Sequence, residues 1–153
     1  MEIRIDNLKG KEIANFLQQH IEDMKAVSPP ESKHALDLQG LQVPEITFWT
    51  IYDDGKVLGC GALKEVDPYH GEVKSMRVCA SARGQGIGSK LLSHIVEEAR
   101  SRNYRSLKLE TGSMPFFDPA RKLYSKHGFS YCGPFGSYKE DPNSVFMELH
   151  INA

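Results

Sequence analysis

Glycines at alternate positions in Arg83-Gly84-Gln85-Gly86-Ile87-Gly88-Ser89-Lys90 form the stretch of this chain whose spacing points most directly to chemistry. The stretch follows an apolar, strand-like run that ends at Val78 and leads straight into a helical stripe of apolar residues. Glycines there let the backbone approach a ligand with its amides turned outward, and the positive end of the helix adds to the attraction. Together they suit a pyrophosphate. Two familiar phosphate loops do not match. A P-loop needs Gly-Lys-Ser/Thr after four spacers, whereas the order here is Gly88-Ser89-Lys90. A dinucleotide fingerprint needs Gly-x-Gly-x-x-Gly, whereas these glycines stand at 84, 86 and 88. By itself such a turn also serves as a plain tight connection. The six histidines contain no His-x-His or His-Glu-x-x-His pair, so no metal site is expected. His20 and His127 fall on apolar helical stripes and read as packing residues.

The elements that must hold this turn alternate between strand and helix periods. Glu2 to Asp6 reads as a short strand, and Lys11 to about Met24 as an amphipathic helix that must stop before Pro29-Pro30. Pro30 to Pro44 has no period and reads as a long loop or a broken short helix. Ile46–Tyr52 and Val57–Val66 form a hairpin through Asp53-Asp54-Gly55-Lys56, and Glu72–Val78 is a third strand in succession. Ile87 to Ala99 is a helix, Leu107–Thr111 a strand, and Asp118-Pro119 opens another helix, with Asp118 as its cap and Gly128 as its stop. Phe129–Cys132 and Val145–Ile151 are the last strands. The order β-α-βββ-α-β-α-ββ predicts an α/β (α+β) fold, with a mixed, mostly antiparallel central sheet and helices on both faces. The 153 residues contain no linker and form one domain, 1–153.

Composition narrows the function classes. The chain is 40% hydrophobic and 25% charged, with 19 basic and 20 acidic residues and a net charge of −1. A nucleic-acid binder needs a basic excess, so nucleic acid is not an expected partner. No apolar run approaches the ~18 residues of a membrane span, and the first residues do not read as a signal peptide. The cysteines Cys60, Cys79 and Cys132 are odd in number and far apart, which excludes a disulfide scaffold and points to a reducing, cytoplasmic setting.

Arg83-x-x-Gly86-x-Gly88 and Ala120-Arg-Lys-Leu-Tyr124-Ser-Lys-His-Gly-Phe129 together resemble the GNAT superfamily of N-acetyltransferases. Within it, the polar stretches named below resemble a bacterial subgroup, the YsnE-like acetyltransferases. The resemblance covers nearly the whole chain, since the element order is also the family's. It implies that acetyl-CoA is the co-substrate, with no metal, and that its pyrophosphate lies on Arg83, Gly84, Gln85, Gly86, Ile87, Gly88 and Ser89. It also implies that the backbone of Met76, Arg77 and Val78 takes the pantetheine arm and polarises the thioester carbonyl. Tyr124 matches the tyrosine that attends the CoA sulfur. Glu72 stands where the histone-acetylating branch of the family has its base, and it shares strand parity with Met76 and Val78. A solvated strand-end glutamate is the competing reading, with His70 the second candidate base. Many relatives carry Asn where this chain has Phe117, so that cofactor contact is lost or replaced.

The acceptor site is expected in two polar stretches, the loop between Met24 and Pro44 and the segment Gly133 to Ser144, together with Glu110-Thr-Gly-Ser113. Glu31, Ser32 and His34, pinned by Pro29-Pro30, are the candidate acceptor-binding residues. The expected activity is N-acetylation of a small-molecule amine. Acetylation of a protein or peptide, or acyl-CoA binding without turnover, are the alternatives, and a homodimer is left open.

Overall fold

The structure, a computed structural model, describes residues 1–27 and 38–151. Seven strands form one sheet in the order β1-β2-β3-β4-β5-β7-β6. The elements are β1 (Glu2–Ile5), α1 (Lys11–Val27), the single turn α2 (Leu38–Leu41), β2 (Ile46–Asp53), β3 (Lys56–Asp67), β4 (His70–Val78), α3 (Ile87–Ser101), β5 (Ser106–Gly112), α4 (Asp118–Lys126), β6 (Ser130–Cys132) and β7 (Ser144–His150). Asp54 and Gly55 both take positive φ, 50° and 74°, in a two-residue turn that matches the right-handed strand twist. That pins the β2–β3 register at Asp53 opposite Lys56.

Each helix is held by one apolar stripe. α3 buries Ile87, Leu91, Leu92, Ile95, Val96 and Ala99 against the sheet face that carries Leu63, Val73, Leu107, Leu109 and Met147. α1 lies on the other face, where Ile13 and Leu17 meet Phe48, Cys60 and Ala62. Each fully buried Leu or Ile is worth roughly 1.5–3 kcal/mol, so the four on α3, Ile87, Leu91, Leu92 and Ile95, fix its position firmly. α4 starts differently from the sequence expectation. Asp118 is its first residue rather than its cap and makes no capping bond; its carboxylate pairs instead with Arg121 one turn on. Arg121 also donates to the carbonyls of Gly112 and Met114, which ties α4 to the end of β5. Gly128 stops the helix at φ 95°, as its position suggested.

Two irregularities of β4 shape everything that follows. Ser75 takes φ 56° and forms a bulge, so the register moves from Lys74 opposite Ala62 to Arg77 opposite Cys60. The buried Cys60 thiol donates to the Ser75 carbonyl at 3.2 Å and holds the bulge. Burial pushes that thiol up to about 12, so it stays protonated and able to donate. The second irregularity is that β4 and β5, the one parallel pair among the described residues, are joined over only three positions, His70–Ser106 to Glu72–Lys108. Beyond Glu72 the two strands separate and leave a gap in the sheet.

Candidate active site

The gap between β4 and β5 opens into two connected spaces. The larger, about 460 Å³, runs from Met76–Val78 on β4 to the glycine turn and the first half of α4. Of the ten residues expected at acetyl-CoA, nine line it: Met76, Arg77, Val78, Arg83, Gly84, Gly86, Ile87, Gly88 and Ser89. Gln85 is exposed and does not.

The turn has the backbone its sequence suggested. Gly84 and Gly86 have φ 83° and 77°, a region closed to most side chains, and nothing lies within 4 Å of where a Cβ would stand on either. Gly86 is the N-cap of α3, and the first helical bond runs from Lys90 N–H to the Gly86 carbonyl. Helix geometry therefore leaves the amides of Ile87, Gly88 and Ser89 without partners along the helix. Gly88 is needed for a different reason: a Cβ there would come within 3.1 Å of Leu123 on α4. An open cradle of outward amides at a helix start fits a diphosphate. Two neighbouring side chains make fixed contacts of their own. Arg77 pairs with Asp23 of α1 at 2.7 Å, and Ser89 Oγ lies 3.0 Å from His127 Nε2.

The smaller space, about 100 Å³, is lined by Glu72, Lys74, Glu110, Tyr138 and Tyr124, with His20 and Met24 of α1 at its side. It shares His20, Met24, Met76, Phe117, Ala120 and Tyr124 with the larger one. Tyr124 reaches it from α4 and Glu72 from β4. The parity expected for Glu72 is corrected by the Ser75 bulge, which turns Met76 and Val78 to the α3 face while Glu72, Lys74 and Arg77 stay on the α1 face. Glu72 meets the cleft because the strands part beside it, and not because of alternation.

Glu72 is buried, at 4% exposure, and bonded. Its Oε2 accepts from the Tyr138 hydroxyl at 2.6 Å and from Lys74 Nζ at 3.1 Å, and Lys74 also donates to Tyr138 Oη at 3.0 Å. Burial first, and the Glu72 and Glu110 charges next, raise the Tyr138 phenol far above its ordinary value, so it remains a donor. Tyr124 is likewise raised, by burial and then by the Glu110 charge. Among the described residues its hydroxyl has no hydrogen-bond partner, and it stays protonated at neutral pH. His70 does not line either space; it sits 2.9 Å from Asp67 with its side chain 41% exposed. Glu31, Ser32 and His34 lie outside the described residues.

Four side chains here were not among the expected site residues, although the sequence had marked Phe117 as a replacement for Asn and His20 as a packing residue. Lys74 and Tyr138 are separated by 64 positions and meet only in the fold, although Tyr138 belongs to a segment expected near the acceptor. Phe117 packs against the end of β5: its ring lies so close to Gly112 that a Cβ there would overlap it, and it walls both spaces. His20 lies at their junction, with its basicity lowered from 6.5 to about 4, chiefly by burial and then by the Arg77 charge. Its i, i+4 spacing with Met24 was the available signal, because both face the junction from α1.

The sequence pattern of the Acetyltransferase (GNAT) family matches residues 13–129. The chain belongs to this family. It is 54% identical over 147 residues to an uncharacterised N-acetyltransferase, YsnE, of Bacillus subtilis (strain 168), covering 96% of this chain and 97% of that one. It is 42% identical over 149 residues to a second, YedL, of Escherichia coli (strain K12), covering 97% and 94%. A crystal structure of a GNAT acetyltransferase from Staphylococcus aureus Mu50 shares the fold, with a TM-score of 0.75 at 21% identity over 99% of this chain and 100% of that one. The chain is thus an acetyl-CoA-dependent N-acetyltransferase, and its largely antiparallel sheet with helices is shared with solved acetyltransferase structures. No described helix is long and apolar enough to cross a membrane.

Proposed function

We propose that the chain transfers the acetyl group of acetyl-CoA directly to the amine of a small molecule. The observation that carries this reading is the meeting of the two spaces at Tyr124, with the glycine cradle on one side and the paired carboxylates Glu72 and Glu110 on the other. Glu72, bonded to Lys74, and Glu110 line the space where the amine would give up its proton.

The roles follow from the groups present. The amine nitrogen bonds to the acetyl carbon, the C–S bond breaks, and its electron pair leaves on sulfur. Glu72 takes the proton the nitrogen must lose, directly or through a water. A backbone amide of Met76–Val78, on the β4 edge that no described strand covers, polarises the thioester oxygen. Tyr124 donates a hydrogen bond to the departing sulfur. Because burial makes this phenol a weaker acid than a thiol of pKa about 8–9, it stabilises the thiolate mainly by that bond. The proton lost by nitrogen finally rests on the thiol. No covalent enzyme intermediate is needed: Cys60 is buried and bonded, and neither Cys79 nor Cys132 lines either space.

A thiol-release screen with acetyl-CoA against amines, amino acids, polyamines and peptides tests the reading. Release with low-molecular-weight amines is expected. Release with peptides alone would transfer the proposal to a protein acceptor, and acetyl-CoA binding with no release in any arm would make the chain a binding module.

A further inference from the structure

His127 ends α4, and its place on an apolar stripe marked it as a packing residue. In the fold its ring meets a hydroxyl instead, with Nε2 3.0 Å from Ser89 Oγ. Ser89 is the third residue of α3 and lines two spaces at once. One is the 460 Å³ space that holds the glycine cradle. The other is an open depression of about 610 Å³ between β1, α3 and the end of α4. His127 lines only the second, so it reaches the cradle through Ser89. No other side chain can serve the first residues of α3. Gly86, the N-cap, makes no side-chain bond, and only Ile87 and Gly88 stand between it and Ser89. The amides on which the diphosphate is expected to lie belong to these same residues.

We infer that His127 is a positioning residue for the donor: it holds the Ser89 hydroxyl with its hydrogen turned toward the diphosphate. The inference rests on the reading of the glycine turn as the diphosphate's cradle. A hydroxyl has one hydrogen to give. If Ser89 donates it to Nε2, only oxygen lone pairs face the cradle, and they repel an anion. If Nε2 carries a proton and donates to Ser89, the hydroxyl's own hydrogen is free for a phosphate oxygen. The contacts of an imidazole decide which nitrogen bears the proton, so a bound diphosphate selects the form protonated on Nε2. Burial first, and the Lys126 charge next, hold the basicity of His127 below its ordinary value. Lys126 on α4, Lys90, His94 and Glu97 on α3, and Met1 at the amino terminus line the same depression. A dianion beyond Ser89 opposes the lowering, because it favours the imidazolium, in which Nε2 is always a donor. Donor binding therefore raises the basicity of His127, and His127 strengthens that binding as pH falls through the raised value.

Calorimetry with CoA on the full chain tests this with Ser89→Ala, His127→Phe, their double variant and His127→Gln. His127→Phe keeps a ring without a donor and should weaken CoA binding about threefold or more at pH 7. The acetyl-CoA KM should rise to match, with kcat held within about twofold. In the Ser89→Ala background the same change should cost less than about 1.5-fold, because the two residues act as one unit. His127→Gln offers an amide donor at every pH. It should keep CoA affinity within about twofold of the wild type at pH 8 and miss the extra tightening the wild type shows at pH 6. Nuclear magnetic resonance titration of the His127 ring should show its midpoint rise by about half a pH unit or more when CoA is added. If the phenylalanine variant does not fold, His127→Gln and the ring titration carry the test. An equal cost of His127→Phe with and without the Ser89 hydroxyl, or a midpoint that CoA leaves unmoved, overturns the inference. Silent Ser89 and His127 variants beside a weakened Gly86→Val would overturn it and leave the cradle standing. If Gly86→Val also binds CoA normally, the cradle reading falls instead.

Discussion

Glu72 and Tyr124 stand on opposite faces of the sheet and yet line one space of about 100 Å³, because β4 and β5 part immediately after the Glu72–Lys108 pair. Glu72 belongs to the α1 face with Lys74, and Tyr124 packs on the α3 face with Leu109, Phe129 and Met147. A proton acceptor and a hydrogen-bond donor can thus flank one reacting centre without facing each other across a crowded surface.

Tyr124→Phe retains the ring and its tilted packing on Phe129, and removes only the hydroxyl. We expect kcat to fall roughly 10- to 1000-fold with little change in acetyl-CoA affinity. An unchanged kcat under conditions where chemistry limits the rate would leave Tyr124 as a packing residue.

Gly86 at φ 77° tolerates no β-branched residue without strain, and it starts α3. Gly86→Val should weaken acetyl-CoA binding at least tenfold, about 1.4 kcal/mol, by turning the first amides of the helix away from the phosphates. Calorimetry with acetyl-CoA measures this, and equal affinity in the two proteins would remove the pyrophosphate from this turn.

For Glu72→Gln we expect a loss in kcat/KM of roughly 100-fold at neutral pH. The loss should shrink as pH rises and free amine accumulates, so the acidic limb moves toward alkaline pH. Lys74, Tyr138 and Glu110 also face this position and are unaltered in the variant, so the displaced limb reports on Glu72 itself. A wild-type rate with the same acidic limb would place the base elsewhere.

His20 supplies a test on stability. Unfolded, it takes up a proton near 6.5; folded, beside Arg77 and Asp23, only near about 4. Between those values the unfolded chain binds the extra proton, so this contribution is present in full above about 6.5 and drains away as pH falls toward 4. His20→Gln should flatten the acid loss of stability by up to ~1.4 kcal/mol per pH unit within that window. Urea unfolding at pH 7.5, 6 and 5 reads this; parallel pH dependences for the two proteins would show that His20 titrates normally.

Gly112→Ala would drive a methyl group into the Phe117 ring. A loss of about 1–3 kcal/mol is expected, together with a weaker acetyl-CoA affinity, because Phe117 walls both spaces. A variant as stable and as tightly binding as the wild type would show that Phe117 can move without consequence.

What the sequence determined by itself is local. The glycine turn was legible because Gly84 and Gly86 take backbone angles that few other residues adopt, and because an apolar stripe immediately downstream signals the helix they cap. Tyr124 was legible from a motif on a single helix, and the two-residue hairpin from Asp54-Gly55. The tertiary structure decided the rest, through contacts between positions far apart. The Ser75 bulge reversed the parity on which the placement of Glu72 had rested, and nothing in the residues around Ser75 announces a bulge that the Cys60 thiol, 15 positions earlier, helps to hold. Whether Glu72 was a solvated strand end or a buried group turned on Tyr138, 66 positions away, whose hydroxyl reaches it only because β7 inserts between β5 and β6. Local conformation depends on a residue and its neighbours, whereas burial and the meeting of side chains depend on which strands pair and where they part.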